Sequence, residues 1–106
     1  MDKYDRKKIN ELLKAVLLLE NIRESQKFFR DLLTEPELIE FSNRWKAARM
    51  LAKKIPYSRI IKETGLSSTT VARVSKWLQG GEGGYRAMLK KMNTHHRTPS
   101  SGKELR

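Results

Sequence analysis

The chain has 106 residues, enough for one small domain, and its 23 lysines and arginines against 12 acidic residues give a net charge of +11. It contains no cysteine, which excludes disulfides, thiolate catalysis and cysteine metal sites and fits a cytoplasmic protein. The longest apolar run, residues 15–19, is far shorter than the ~20 residues that span a bilayer. We therefore expect a cytoplasmic protein that does not bind membranes. Its net positive charge predicts an anionic partner.

Apolar residues recur at helical spacing along most of the chain, and we expect six helices and no strand. The first helix is predicted over Tyr4–Leu19. Asn21, with Glu24 three residues later, has the pattern of a capping pair. This pair predicts the start of a second helix, which carries Phe28 and Phe29.

The end of the first predicted helix bears on the oligomeric state. Residues 15–19 are consecutive apolar residues and would cover nearly the whole circumference of a helix. A helix that is apolar on every side is buried on every side, and a chain of this length has little core in which to bury it. We therefore expect a homodimer in which this helix packs against a second copy, with a compact monomer that wraps the helix as the alternative.

The rest of the chain predicts four further helices and a tail. Thr34 with Glu37 repeats the capping pattern before a third helix that runs to about Lys54, and Pro56 separates the third helix from the fourth. The glycine run 80–84 ends the fifth helix. The fifth and sixth helices are predicted over Ser68–Gln79 and Tyr85–Met92. Residues 1–92 are thus expected to form one helical domain, and the polar residues 93–106 a disordered tail.

The segment 57–79 has the pattern of a helix-turn-helix. Gly65 lies where the turn needs a residue that tolerates a positive φ, and Ser67 is placed to cap the second helix of the motif through its hydroxyl. The apolar residues around the glycine are spaced so that the two helices face each other. These residues are Ile60, Ile61, Leu66, Val71 and Val74.

The outer face of the second helix of this motif is polar and cationic. Its residues are Ser68, Thr69, Thr70, Arg73 and Lys76. Short hydroxyl side chains and cations of this kind meet base edges and phosphates in a major groove. An ordinary helical hairpin with a glycine turn is the alternative, since short motifs match by chance.

The positive charge is concentrated around this motif. Residues 1–43 carry eight basic and nine acidic side chains, whereas residues 44–76 carry nine basic and one acidic, a net charge of +8. Duplex DNA carries one negative charge per ~1.7 Å, and a basic region that coincides with a recognition helix is the electrostatic footprint of DNA binding. A solvated basic surface would not explain why the N-terminal part is nearly neutral.

These residues resemble the Trp repressor superfamily, and within it the YerC/YecD-type TrpR-like proteins. The resemblance covers residues 4–92 and is carried by the LLTEPE helix start, Arg44 and the TGLSSTTVAR turn and helix. It implies an all-α, six-helix TrpR-like fold that forms an intertwined homodimer, from which two helix-turn-helix heads project. By position, it implies DNA contacts at Ser58, Arg59, Lys62, Ser68, Thr69 and Thr70.

The resemblance also implies a place for a small-molecule effector. In the family's founding member two arginines and a threonine hold L-tryptophan, and their positions here are Arg44, Arg73 and Thr34. Two neighbouring positions depart from the family's pattern, because Val74 replaces a glycine and Trp77 a serine. Both changes add bulk where the ligand would lie, so we expect no tryptophan cofactor and leave the effector unknown. Arg73 then has a rival role in reading a guanine, and Arg44 a rival role as a surface or phosphate-facing arginine.

No residue pattern indicates catalysis or a metal site. The two histidines, His95 and His96, lie in the predicted tail without nearby carboxylates. We expect not an enzyme but a sequence-specific double-stranded DNA-binding transcriptional regulator, a repressor that reads the major groove with helix 68–79. The alternative is a basic helical interaction module that binds RNA or an acidic protein.

Overall fold

The computed structural model describes residues 1–97, and its regular structure within them is entirely helical, as the sequence predicts. The helices are α1 Lys3–Val16, α2 Ile22–Leu32, α3 Glu35–Ala52, α4 Tyr57–Thr64, α5 Ser68–Gly80 and α6 Gly84–Arg97. The chain divides into two compact units, residues 1–39 and residues 40–106, and the second is described to residue 97. No helix in this part of the chain is long and apolar enough to cross a membrane.

Helix α1 ends before the leucine run that the sequence assigns to it. The N–H groups of Leu18 and Leu19 donate to the carbonyls of Ala15 and Val16 at 3.0 and 3.1 Å, and these are turn bonds rather than helical ones. Because α1 ends at Val16 and α2 begins at Ile22, the chain must turn in the leucine run between them. The prediction of a helix that is apolar on every side is therefore wrong. Leu17 and Leu18 project from the turn and are 83% and 77% exposed.

Both predicted capping pairs are present. Asn21 Oδ1 accepts the N–H of Glu24 at 2.8 Å at the start of α2. Before α3, the Thr34 hydroxyl accepts the N–H of Glu37 at 3.3 Å, and Glu37 Oε1 accepts both the N–H and the hydroxyl of Thr34 at 2.9 Å. The bond from the Thr34 backbone, followed by that from its hydroxyl, holds the pKa of Glu37 below its usual value.

The unit of residues 1–39 has no buried residue of its own. Phe28 and Phe29 pack edge to face with their ring centroids 5.5 Å apart, but both stay only half-buried. Large apolar side chains remain exposed along its helices and turn, at Ile9, Leu12, Leu13, Leu17, Leu18, Ile22 and Leu32. Exposed apolar side chains in this number are typical of a surface that packs against another molecule.

The unit of residues 40–97 contains the buried core. The core residues come from α3, α4, α5 and the turn between the last two, and they are Ala47, Ala48, Met50, Ile60, Leu66, Val71 and Val74. The two alanines on α3 allow close approach of neighbouring backbone. Burial of each larger aliphatic side chain contributes about 1.5–3 kcal/mol, so this unit has the apolar contacts that the first unit lacks.

Helix α3 ends in a turn for which glycine is the usual residue. The N–H of Lys54 donates to the Leu51 carbonyl at 2.9 Å and that of Ile55 to the Met50 carbonyl at 3.1 Å, the bond pattern of a Schellman motif. Lys54 adopts the left-handed conformation, with φ +64°. Ile55 then packs against the core, and Pro56 is the cap residue of α4.

The glycine run ends α5, as the sequence predicts, and forms the turn between α5 and α6. Arg86 Nε donates to the Leu78 carbonyl at 2.9 Å, and a second guanidinium nitrogen donates to the Gln79 carbonyl. A cation on the free carbonyls of a helix C-terminus also complements the helix dipole. Gly81 has no room for a side chain, because a Cβ there would lie 2.6 Å from the Trp77 carbonyl oxygen.

Helix α6 is longer than the sequence predicts. It runs to Arg97 rather than to Met92, so residues 93–97, which were expected in a disordered tail, are helical. A helix that has formed gains one backbone bond with each added residue, so polar residues can extend it without an apolar period. The rest of the predicted tail, residues 98–106, lies outside the described residues.

Replacing Lys54 with glycine is expected to stabilise the protein. The left-handed conformation costs a residue with a Cβ ~1–2 kcal/mol, and the larger unfolded-state freedom of glycine offsets part of this gain. We expect the free energy of unfolding of Lys54→Gly to exceed that of Lys54→Ala by about 0.5–1 kcal/mol. The alanine control loses the same ammonium group but keeps the Cβ. A urea titration in which both variants unfold at one midpoint would contradict this account of the turn.

Candidate nucleic-acid interface

Two predicted residues build the turn between α4 and α5. Gly65 is left-handed, with φ +74°, and its N–H donates to the Ile61 carbonyl at 2.9 Å, which ends α4. Ser67 Oγ accepts the N–H of Thr70 at 3.1 Å and thereby caps α5. The helix-turn-helix predicted over residues 57–79 is therefore present as α4, a short turn and α5.

A buried threonine supports this turn from inside. Thr64 Oγ1 donates to the Ile60 carbonyl at 2.7 Å and accepts the N–H of Leu66 at 3.2 Å, so its hydroxyl is satisfied within the core. Beneath the turn, the fully buried Val71 and Val74 of α5 share the core with Ile60 of α4. Sequence reasoning missed Thr64, although a threonine directly before the turn glycine was an available signal.

The outer face of α5 presents most of the predicted reading residues to solvent. Ser68, Thr69, Arg73 and Lys76 are exposed, and within residues 1–97 their side chains form no hydrogen bond or ion pair. Thr70 differs, because it is half-buried and its Oγ1 accepts the Ser67 hydroxyl at 3.0 Å. Thr70 thus belongs to the cap of α5 as well as to its outer face.

The predicted residues of α4 include one that is already paired. Ser58 and Lys62 are exposed, whereas Arg59 Nε donates to Glu63 Oε2 at 2.7 Å. Lys46 Nζ lies 3.9 Å from the other Glu63 oxygen. The bond from Arg59 is the main cause that holds the pKa of Glu63 below its usual value, against the opposing effect of burial. Sequence reasoning gave Glu63 no role, although it is the one acidic residue of the basic region.

The residues assigned to an effector pocket are divided between the two units. Thr34 belongs to residues 1–39, where its hydroxyl caps α3. In the second unit, Arg44 Nε donates to Glu40 Oε2 at 3.2 Å, and its guanidinium lies 5.9 Å from the centre of the Phe41 ring. Arg73 is exposed on α5. The effector site stays a prediction, and the side chains of two of its three residues are bonded to glutamates of α3.

Val74 and Trp77, the two departures from the family's pattern, occupy different environments. Val74 is fully buried and packs in the core. Trp77 is 43% exposed and lines an open apolar groove together with Trp45 and Tyr85, whose rings stack with centroids 6.3 Å apart. Val74 therefore contributes to packing, and Trp77 to a surface groove.

The described residues contain no group of three or more potential metal ligands. The side chains of His95 and His96 lie outside the part of the chain that the structure describes.

Fold and site together define an all-helical protein whose second unit carries a helix-turn-helix with a polar, cationic outer face. The family model described as Trp repressor protein matches residues 7–93. The uncharacterized protein YerC of Bacillus subtilis is 34% identical over 101 residues, which cover 95% of this chain and 97% of YerC. The chain therefore belongs to the Trp repressor family, which is a family of regulators rather than enzymes.

Two solved structures share this fold. One is a TrpR-like protein from Eubacterium eligens, with a TM-score of 0.79 and 31% identity over 82% of this chain and 90% of that chain. The other is a Trp repressor candidate from Staphylococcus aureus, with a TM-score of 0.78 and 34% identity over 88% of this chain and 96% of that chain. The predicted TrpR-like fold is thus confirmed.

Substitutions at Gly65 measure the conformational demand of the turn. No heavy atom lies within 4 Å of a Cβ placed there, so a side chain would cost strain but meet no clash. We expect Gly65→Ala to lower the free energy of unfolding by ~1–2 kcal/mol and Gly65→Asn by less, because asparagine tolerates the left-handed region. Urea titration of the two variants measures the difference. Equal losses in both would show that φ at this position does not limit stability.

Proposed function

We propose that this protein is a cytoplasmic, sequence-specific double-stranded DNA-binding transcriptional regulator, a repressor that acts as a homodimer and reads the major groove with α5. One observation carries the proposal. The inner face of α5 is buried in the core, while Ser68, Thr69, Arg73 and Lys76 on its outer face are exposed and have no side-chain partner within residues 1–97. Their hydrogen-bonding capacity is therefore available to a ligand.

The chemistry of this face suits a major groove. Arg73 can donate two parallel hydrogen bonds to one guanine, and such a bidentate contact is worth ~1–3 kcal/mol of discrimination between bases. The hydroxyls of Ser68 and Thr69 can meet base edges or phosphates, and Lys76 supplies a cation for the backbone. At the start of α4, Ser58 and Lys62 add exposed groups of the kind that position a protein on phosphates.

Charge and relatives support the same function. Residues 44–76 carry a net charge of +8, and neutralised phosphates would release counterions on binding. The matching family model and the Staphylococcus aureus structure both carry the name Trp repressor. An RNA-binding or acidic-protein-binding module would use the charge as well, but it would give no reason for a helix-turn-helix with a free polar face.

The unit of residues 1–39 supports the homodimer. It has no buried residue, and its apolar side chains, with Leu17 and Leu18 among the most exposed, need a covering surface. A second copy of the chain would supply one and would pair two reading helices by two-fold symmetry. Symmetric half-sites would then lie about one helical turn of DNA apart, ~34 Å, or a multiple of it.

We propose further that L-tryptophan is not a cofactor of this protein. The Thr34 hydroxyl donates to Glu37 in the α3 cap and would have to give up this bond to donate to a ligand, and Arg44 has its Nε donor engaged with Glu40. The effector, if one is used, stays unknown.

Selection from random duplexes is the direct test of DNA reading. The full chain should recover a two-fold-symmetric motif. On the selected duplex, about six to eight phosphate contacts per dimer predict that log affinity falls with log salt at a slope of about −5 to −7. Fluorescence anisotropy at several salt concentrations measures this slope. A slope near zero, or tighter binding to RNA of the same length, would favour the interaction module instead.

Arg73→Ala separates base reading from the other roles of this arginine. Base reading predicts a loss of ~1–3 kcal/mol in binding and a relaxed preference at one base pair of each half-site. Lys76→Ala is the matched control, since loss of a phosphate contact should weaken all sequences equally. Calorimetry with L-tryptophan completes the test. Micromolar tryptophan binding that both Arg44→Ala and Arg73→Ala abolish would restore the effector role.

Leu17→Lys tests the homodimer. Leu17 is 83% exposed in the single chain, so a lysine there would meet no clash within that chain. At a dimer interface it would bury an unpaired charge, which costs several kcal/mol. We expect sedimentation to show a dimer for the wild-type chain and for the control Gln26→Lys, and loss of the dimer for Leu17→Lys. Dimeric Leu17→Lys would place this leucine outside the interface.

A further inference from the structure

Helix α3 carries a row of cations that the helix-turn-helix does not include. Lys46, Arg49 and Lys53 follow one another at three- and four-residue steps, which places them on one face of the helix. Together with Arg59 of α4 they line a cleft in which Glu63 is the one acidic side chain. The cleft therefore joins a row on α3 to a residue already predicted to contact DNA.

The charge of this cleft is only partly neutralised. Both oxygens of Glu63 are engaged, one with Arg59 at 2.7 Å and the other with Lys46 at 3.9 Å. Arg49 and Lys53 are exposed, and within residues 1–97 their side chains form no hydrogen bond or ion pair. Like charges at this spacing on a helix repel each other, and the attraction of both cations to an anion bound between them would offset that repulsion.

The residue after this row is kept in an unfavourable backbone conformation. Lys54 has φ +64° at a position where glycine would be less strained, and it is exposed. Backbone strain that persists in a folded protein is concentrated at functional sites. Lys54 adds an exposed positive charge in the turn between α3 and α4.

We propose that Arg49, Lys53 and Lys54 form a second phosphate-binding surface, which holds the DNA backbone beside the segment read by α5. This inference rests on the proposed function. The partner is the phosphodiester backbone of the same duplex, because the cleft is shared with Arg59 and its net charge is positive. Contacts of this kind fix position and affinity and carry no direct base information. Glu63 limits the affinity of the surface by holding Lys46 and Arg59.

The main test compares two double variants on the selected duplex. Arg49→Gln with Lys53→Gln removes two charges from the cleft, and Lys7→Gln with Lys27→Gln removes two from the nearly neutral N-terminal region. If each cleft cation meets one phosphate, the first pair should flatten the salt slope by about 1.8 per chain and leave the selected base preference unchanged. The control pair should keep the wild-type slope. Equal slopes in the two double variants would overturn the proposal.

Single substitutions of Glu63 and Lys54 provide further tests of the phosphate-binding surface. Glu63→Gln should bind the duplex more tightly and with a steeper salt slope, since Lys46 and Arg59 are released. Lys54→Gly should melt at a higher temperature than Lys54→Ala, but both variants should bind the duplex equally weakly because both lose the ammonium group. Lys54→Arg keeps a positive charge and should bind the duplex with wild-type affinity. Wild-type affinity in Lys54→Gly would remove this lysine from the surface.

The outcomes distinguish this surface from the function on which it rests. If the wild-type chain selects a motif and the double variant of Arg49 and Lys53 keeps the full salt slope, as the control pair does, the second surface fails and DNA reading stands. If the wild-type chain binds no duplex but binds polyglutamate through the same two residues, both proposals fail and the cleft binds an acidic protein.

Discussion

The packing of α4 against α5 over Ile60, Val71 and Val74 is the constraint on which the reading surface depends. These three side chains are fully buried, and each contributes about 1.5–3 kcal/mol through removal of apolar area from water. The chain can bring them together only if it reverses within a few residues. Gly65 makes this possible at φ +74°, and the Thr64 hydroxyl satisfies the polar groups that the turn would otherwise bury. Because the inner face of α5 is committed to this core, its outer face is free to be polar and charged.

The cations around the helix-turn-helix lie on helices that the buried core holds in place. The cations of α3, α4 and α5 lie on the exposed side of helices whose opposite sides supply the core, so their mutual repulsion acts on elements that apolar packing already holds. Glu63 reduces that repulsion by bonding both Lys46 and Arg59. A stable core can also carry the local cost of the left-handed Lys54, a residue that we propose serves phosphate binding.

The two units differ in what stabilises them. In residues 1–39 the helices start at well-formed caps, at Asn21 and at the Thr34 and Glu37 pair, but they bury nothing completely. Caps contribute only about 0.5–2 kcal/mol each, and isolated helices of this length are marginal in water. A homodimer would supply the missing burial. In the proposed homodimer, the second copy would serve stability as well as two-fold recognition.

The sequence by itself determined the six helices, both capping pairs and the turn at Gly65, because each depends on residues within one helical turn of one another. Tertiary structure decided the features that depend on groups from different turns or elements. These include the engagement of Glu63 by Lys46 of α3, the capping of α5 by Arg86, and the exposure of Trp77. Spacing along one helix shows which residues share a face, but only the packed neighbours decide which face is covered and which charges meet.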